Sequence, residues 1–403
     1  MDRGAAPSQD SRSPTAVVVT ALGLTTLLGY GSSYYLPAIL AAPISADMDW
    51  PLHWVVGGLS IGLLAGGIAA PFIGRAMDRH GGRLVLSAGS LLLAGGLCGL
   101  GAATTLATYL LAWCVIGLGM GAGLYDAAFA AMGGWYREKA RTPITIVTLF
   151  GGLASTVCWP LSAYLVTSLG WRPTCFIYAA MHVLIALPLH AWLLPEANRE
   201  RFVEHGLRPE EHTMSAAPRN GSLQFLLVAA VLTLAATITS IISVHLLTML
   251  QSRGHTLAMA VAIGSLIGPS QIIGRAVELM WGRMLHPIGS GLISAALMAA
   301  GVASLTFGLG AAALAVAIYA AGAGVSFVIR GTLPLALFGP RGYGSLMGRL
   351  GLPSLIAQAL APWLATIVLA RAGADALLAA LFILSFTHVG VIVCLRRLAG
   401  ARR

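Results

Sequence analysis

The sequence predicts an all-α integral membrane protein of twelve transmembrane helices, arranged as two pseudo-symmetric bundles of six. Three observations predict it. Of the 403 residues, 57% are hydrophobic and only 9% charged, whereas a soluble globular surface takes about 25% charged residues. Apolar stretches long enough to cross a bilayer as helices, about 20 residues each, recur along the chain. Finally, a ten-residue pattern is written twice at an offset of 200 residues, as Gly74-Arg75-Ala76-Met77-Asp78-Arg79-His80-Gly81-Gly82-Arg83 and as Gly274-Arg275-Ala276-Val277-Glu278-Leu279-Met280-Trp281-Gly282-Arg283. Such internal repetition marks a duplicated unit.

The first six spans are predicted at 16–42, 53–74, 84–103, 107–134, 143–168 and 173–194. A polar interval rich in Arg, Glu and Pro follows, and six more spans fall at 222–250, 257–280, 287–308, 311–336, 346–370 and 374–396. The domain plan is therefore a tail of 1–15, a bundle of 16–195, a linker of 196–221, a second bundle of 222–396 and a basic tail of 397–403. Helices are required because an open strand edge leaves backbone groups unsatisfied in lipid. With the amino terminus inside, alternate loops and tails place twenty Lys and Arg on the cytoplasmic side against Arg172, Arg253 and Arg371 outside, with Arg330 within a span. That asymmetry predicts cytoplasmic termini. The repeat also reaches into the spans, where Gly121-Ala122-Gly123 is echoed by Gly322-Ala323-Gly324 and Gly151 by Gly351.

Other classes are disfavoured by what the chain contains. The five cysteines, Cys98, Cys114, Cys158, Cys175 and Cys394, lie scattered in mostly apolar runs without ligand spacing, so neither a disulfide framework nor a metal site is expected. The net charge of +10 sits in loops and tails and is not read as a nucleic-acid surface. There is one lysine, Lys139, and no glycine-rich phosphate loop, which argues against a nucleotide-driven pump. Met1 to Ser13 is polar and the first apolar run is too long for a cleavable signal core.

The first copy of the repeat, Gly74-x-x-x-Asp78-Arg79-x-Gly81 followed by Arg83, resembles the motif that major facilitator superfamily transporters carry in the cytoplasmic loop between their second and third spans. The resemblance covers nearly the whole chain. It implies two six-helix halves with a solute site between them at the bilayer midplane. It also implies that Asp78, with Gly74, Arg79, Gly81 and Arg83, latches the halves on the cytoplasmic side. Glu278 is the counterpart in the second copy, where Leu279 and Trp281 replace an arginine and a glycine and imply a weaker latch. From Gly117 to Arg172 the layout Trp135-Tyr136-Arg137, Lys139-Ala140-Arg141, Phe150-Gly151-Gly152, Trp159-Pro160-Leu161 and Gly170-Trp171-Arg172 is similar to the bacterial branch near monocarboxylate and oxalate/formate porters. That implies a small, anionic solute and a bacterial inner membrane.

A charge in the bilayer core is costly and faces a cavity or a partner. Two residues meet that description, Asp126 in the fourth span and Arg330 in the tenth. Aligning Gly121 with Gly322 puts Arg330 three residues beyond the register of Asp126, about 4.5 Å along the helix on much the same face. Two readings stay open: Asp126 carries the coupling proton while Arg330 attracts an anion, or the two form a permanent structural brace. In the first span, Gly29-Tyr30-Gly31-Ser32-Ser33-Tyr34-Tyr35 offers hydroxyls and flat rings to a solute. Tyr34 is the first candidate and Tyr30 the second, each against a packing role, and Tyr35 stays open between a solute contact and an aromatic belt at the interface. The seventh span adds Thr237, Thr239, Ser240, Ser243 and His245, the last toward its outer end, where a satisfied histidine competes with a proton-moving one. Secondary candidates are Tyr125, Trp159, Gln271, Ser326 and Gln358. Arg275 is read as loop architecture because its repeat partner Arg75 sits at the membrane edge, and His182, His190 and His388 as structural.

The leading reading is a proton-coupled secondary transporter of a small solute, an organic anion or metabolite, with no catalytic residue, no cofactor and no metal, acting as a monomer. Its partners are the solute, protons and the lipid bilayer, with no nucleic acid. An efflux carrier of drugs or toxic solutes, metalloids included, uses the same scaffold. A non-transporting receptor or an intramembrane enzyme is the alternative of another class. It lacks, respectively, an output domain and a clustered nucleophile and base.

Overall fold

The structure, a computed structural model, describes residues 15–196 and 222–400. The expected amino-terminal tail and linker, and the end of the basic tail, fall almost wholly outside them. Every regular element among the described residues is helical, and ten continuous stretches are long and apolar enough to cross a membrane. Two of these are too long for one crossing: Leu106–Leu169 has 64 residues and Tyr343–Ala399 has 57, whereas a bilayer core takes about 20. Each reverses in the middle. Arg137 takes φ 49° at the 3-10 turn Arg137–Ala140, and Gly373 takes φ 80°. Counting both as pairs gives twelve spans.

The first span runs Thr15–Met48, the second Leu52–His80 and the third Gly82–Ala102. The fourth is Leu106–Gly123 continued by Tyr125–Tyr136, and the fifth Arg141–Gly152 continued by Ala154–Leu169. Trp171–Leu193, the sixth, ends in two π-helical turns. The seventh is Ser222–Ser252, the eighth Leu257–Gly264 with Ile267–Trp281, the ninth Pro287–Phe307 and the tenth Ala312–Phe338. The eleventh and twelfth share Tyr343–Gly400, divided at Gly373.

The repeated motif is not the loop expected of it. Gly74 to His80 continue the second span as helix, and only Gly81, at φ 83° and ψ 164°, makes the turn. Arg75, Ala76 and Met77 have good helix propensity and no proline intervenes, so the helix runs on until a glycine supplies the positive φ. The second copy behaves likewise, helical to Trp281 and then a 3-10 turn Gly282–Met284.

Four apolar cores hold the spans. Two draw on residues below 195, around Leu97, Trp113 and Tyr178 and around Leu22, Phe129 and Ile144. The other two draw on residues above 222, around Ile242, Met298 and Tyr319 and around Val228, Leu333 and Leu395. Tyr343 and Met347 of the eleventh span belong to the second of these cores, and Ala359 to the first. The eleventh span is thus the main apolar tie to the first six.

Where the second and eleventh spans cross near the motif, their backbones touch. A Cβ on Gly74 would run into the Gly344 carbonyl, and one on Gly348 into the Ala70 carbonyl. Small residues are what let two helices approach this closely in lipid. Gly348→Val is expected to cost about 1–3 kcal/mol through overpacking. It should lower the melting temperature in detergent and speed thiol labelling of Met347→Cys from the motif end. An unchanged melting temperature and unchanged labelling would show that this crossing has slack.

Candidate functional site: a charged cavity between the halves

A cavity of about 760 Å³ runs through the middle of the molecule. Its walls come from the first, second, fourth and fifth spans on one side and the seventh, eighth, tenth and eleventh on the other. Among the described residues, the third, sixth, ninth and twelfth contribute none to the lining. At one end it reaches Ala38, Val56 and Val261; at the other it stops at Gly74, Met77, Gly344 and Met347, the close crossing described above.

Three further contacts hold the motif end shut. Asp78 accepts backbone N–H bonds from Gly344 at 2.8 Å and Ser345 at 2.7 Å, a carboxylate set at the positive end of the eleventh span. Arg141 of the fifth span reaches Glu278 at 2.6 Å, the Leu285 carbonyl at 2.6 Å and the Ser290 hydroxyl at 3.2 Å. Tyr343 donates to the Gly331 carbonyl, and its ring fills the space a side chain at Gly133 would take. The second copy is therefore not the weaker contact expected from Leu279 and Trp281, since Glu278 is 6% exposed and ion-paired. Arg83 pairs instead with the exposed Glu196 at 2.5 Å, and Arg79 is exposed.

Deeper in, Asp126 and Arg330 meet across the halves in a two-pronged contact. Arg330 Nε donates to Asp126 Oδ1 at 2.6 Å and Nη2 to Oδ2 at 2.7 Å, with the side chains 14% and 17% exposed. Local sequence explains the placing of the acid. The fourth span breaks at Leu124, so Asp126 falls in the first turn of Tyr125–Tyr136, where the helix dipole favours an anion. A Cβ on Gly351 would sit 3.1 Å from the same carboxylate, so the eleventh span closes over the pair only because it carries glycine there.

The sequence misread Arg275. Far from being loop architecture, it is 2% exposed and lines the cavity. Its Nη1 donates to the Thr148 carbonyl of the fifth span at 2.5 Å, Nη2 to Gln271 Oε1 at 3.3 Å and Nε to the Gly324 carbonyl at 3.4 Å, and its guanidinium lies 4.7 Å from the Phe327 ring centroid. Its repeat partner Arg75 is exposed and leans over Phe72. The two copies diverge because Gly152 leaves room for a guanidinium beside the eighth span: a Cβ on Gly152 would meet Arg275 Nη1. The sequence signal for an interior arginine is that position 275 falls within the predicted span 257–280.

The cavity gathers nine of the ten expected interior candidates. Besides Asp126 and Arg330 these are Tyr30, Tyr34 and Tyr125, then Trp159, Gln271, Ser326 and Gln358. His245 is the exception: it lies behind the wall, with Nε2 on the Pro362 carbonyl at 3.0 Å and Thr366 at 3.4 Å. It is satisfied by that backbone carbonyl, while the carbonyl Pro362 frees one turn earlier, that of Gln358, takes the Ser240 hydroxyl at 2.9 Å. Of its neighbours, Thr239, Ser240 and Ser243 line the cavity, while Thr237 turns back to the Thr233 carbonyl. Tyr35, open between a solute contact and the interface, also lines it, because the first span breaks between Ser32 and Pro37 and turns that stretch inward. His182 bonds Ser32, and His190 bonds Thr25 and Ser90. His388 is buried with neither ring nitrogen bonded to a protein group among the described residues.

The charge inventory of the lining is short. Among the described residues, Asp126, Arg330 and Arg275 are its only charged residues. The first two neutralise each other, and Arg275 has carbonyl and amide partners but no carboxylate. One positive charge is thus left on the wall.

A family model described as Major Facilitator Superfamily matches residues 21–362. No curated protein sequence matches the chain. Among solved structures, the chain is similar to the human organic anion transporter MFSD10 (TETRAN), at 18% identity and a TM-score of 0.73, over 94% of this chain and 100% of that one. The proton:xylose symporter XylE bound to 6-bromo-6-deoxy-D-glucose gives 13% identity and a TM-score of 0.73, over 94% of both chains. FucP in the outward conformation gives 14% and 0.73, over 94% of this chain and 98% of that one.

Removing one member of a buried ion pair strands the other and costs about 3–5 kcal/mol, whereas removing both costs less. Asp126→Ala is therefore expected to lower the melting temperature more than Asp126→Ala with Arg330→Ala. A double variant at least as unstable as the single one would mean that the pair is not the unit of stability here.

Proposed function

The chain belongs to the major facilitator superfamily, and from that premise we propose that it is a secondary transporter carrying a small organic anion by alternating access. The single observation behind the anion is the guanidinium of Arg275, buried in the cavity wall without a carboxylate. An uncompensated cation in a low-dielectric site attracts a carboxylate or similar group strongly. The human organic anion transporter among the similar structures accords with this reading but shares only the fold.

On this reading the chain's halves are 16–195 and 222–396, the termini are cytoplasmic in a bacterial inner membrane, and the monomer is the working unit. The closed motif end then faces the cytoplasm, so the described state is open toward the outside. Asp126, Arg330 and the latch around Asp78 form the inner barrier. The layout from Gly117 to Arg172 resembles that of monocarboxylate and oxalate/formate porters. Coupling to protons follows from Asp126: protonating it releases Arg330, and a solute anion arriving near Arg330 competes for the same guanidinium. Among the described residues the lining carries no cysteine, which speaks against a thiol-seeking metalloid as the solute.

Uptake into proteoliposomes of the full chain tests the proposal. Concentrative accumulation of an organic anion is expected with an inward proton gradient. Arg275→Gln should reduce kcat/KM at least about a hundredfold, the scale of one charge-assisted contact in a dry site. Asp126→Asn should retain exchange but lose accumulation driven by the proton gradient. Undiminished transport in Arg275→Gln would remove the anion reading, and proton-driven accumulation surviving in Asp126→Asn would remove the coupling role.

A further inference from the structure

Where the first and fifth spans line the cavity, they present a shelf of aromatic rings. Tyr35 and Trp159 meet edge to face with centroids 6.0 Å apart, Tyr34 meets Tyr35 at 5.3 Å, and Tyr30 lies 6.1 Å from Tyr34. The backbone locks the shelf in place. The break after Ser32 lets Ile39 N–H bond the Leu36 carbonyl, which leaves the Tyr35 carbonyl to accept from Trp159 Nε1 at 3.2 Å. Trp159 is nonetheless 42% exposed and lines the cavity. Among the described residues the hydroxyls of Tyr30 and Tyr35 bond no protein group. A fixed indole bordering a cavity, beside phenols with free hydroxyls, presents apolar surface that an arriving ring covers with gain.

The shelf and the cation lie at a definite separation. Arg275 Nη1 sits against Gly152, and Trp159 stands seven residues further along the fifth span, about 10 Å of helical rise. An acid whose ring is joined to its carboxylate through two carbons spans that separation. An amino group on such a solute has no free acceptor of opposite charge, because Asp126, the only acid in the lining, is held by Arg330.

We propose that the solute is an arylalkanoate without an amino group, its carboxylate on Arg275 and its ring on Tyr35 and Trp159. This rests on the organic-anion reading of the cavity and narrows it. Proteoliposome counterflow of the full chain tests it with 3-phenylpropionate, 3-cyclohexylpropionate, propionate and phenylalanine as probes. The expected kcat/KM for 3-phenylpropionate exceeds that for propionate at least about tenfold, the scale of burying one ring. The cyclohexyl acid falls between them and phenylalanine is refused. Trp159→Leu is expected to erase the phenyl preference and Trp159→Phe to keep most of it; should the leucine variant fail to fold, Tyr35→Leu reads the same ratio. Equal exchange of propionate and 3-phenylpropionate overturns the aromatic assignment and leaves the anion reading standing. So does a cyclohexyl acid or phenylalanine handled as well as 3-phenylpropionate, or a preference that survives both leucine variants. Exchange of none of the three acids by the wild type would overturn both readings together.

Discussion

Three charges in a space built of apolar helices set the terms for the rest of this structure. Asp126 and Arg330 satisfy each other through two short hydrogen bonds across the halves, and such a contact is tolerated in a low-dielectric interior only when both partners are present and aligned. The alignment is arranged by features that look minor in isolation. A break at Leu124 presents the acid at a helix start, Gly351 removes the side chain that would crowd it, and the tenth span carries the arginine at the matching depth. Because the pair bridges the fourth and tenth spans, it reports whether the halves are together at this level.

The same end of the molecule is closed by backbone against backbone. Gly74 and Gly348 bring the second and eleventh spans into direct contact, and Asp78 then reaches two N–H groups at the start of the eleventh span. Glu278 and Arg141 make a parallel contact between the fifth and eighth spans. Asp78 is exposed, so water can replace its contacts, whereas Glu278 is buried against Arg141. An exposed contact of the first kind opens without a large penalty, which suits the alternating access proposed above.

Arg275 differs from all of these in having no acidic partner. Its hydrogen bonds go to two carbonyls and an amide, and its face lies on Phe327, so its donors are placed while its charge is left over. The ring shelf of Tyr35 and Trp159 lines the same cavity. A cation and a set of rings bordering one space make an amphipathic cavity, and that pairing underlies both the proposed solute class and its orientation.

Composition, hydropathy spacing and the 200-residue repeat determined the helical membrane class and the approximate spans, since lipid permits few alternatives to a helix and a duplicated unit leaves its period in the chain. The interior charges Asp126 and Arg330 were legible for the same reason, because an ion in an apolar run stands out and must be placed inward. Only tertiary structure decided what local pattern leaves open. It decided that Arg275 turns inward where Arg75 turns outward, into the space Gly152 of the fifth span leaves, and that a break in the first span swings Tyr35 to the cavity. It also decided that His245 is taken up by the Pro362 carbonyl of the eleventh span. Partners more than a hundred residues apart in sequence settle each of these, and no window along the chain contains both members.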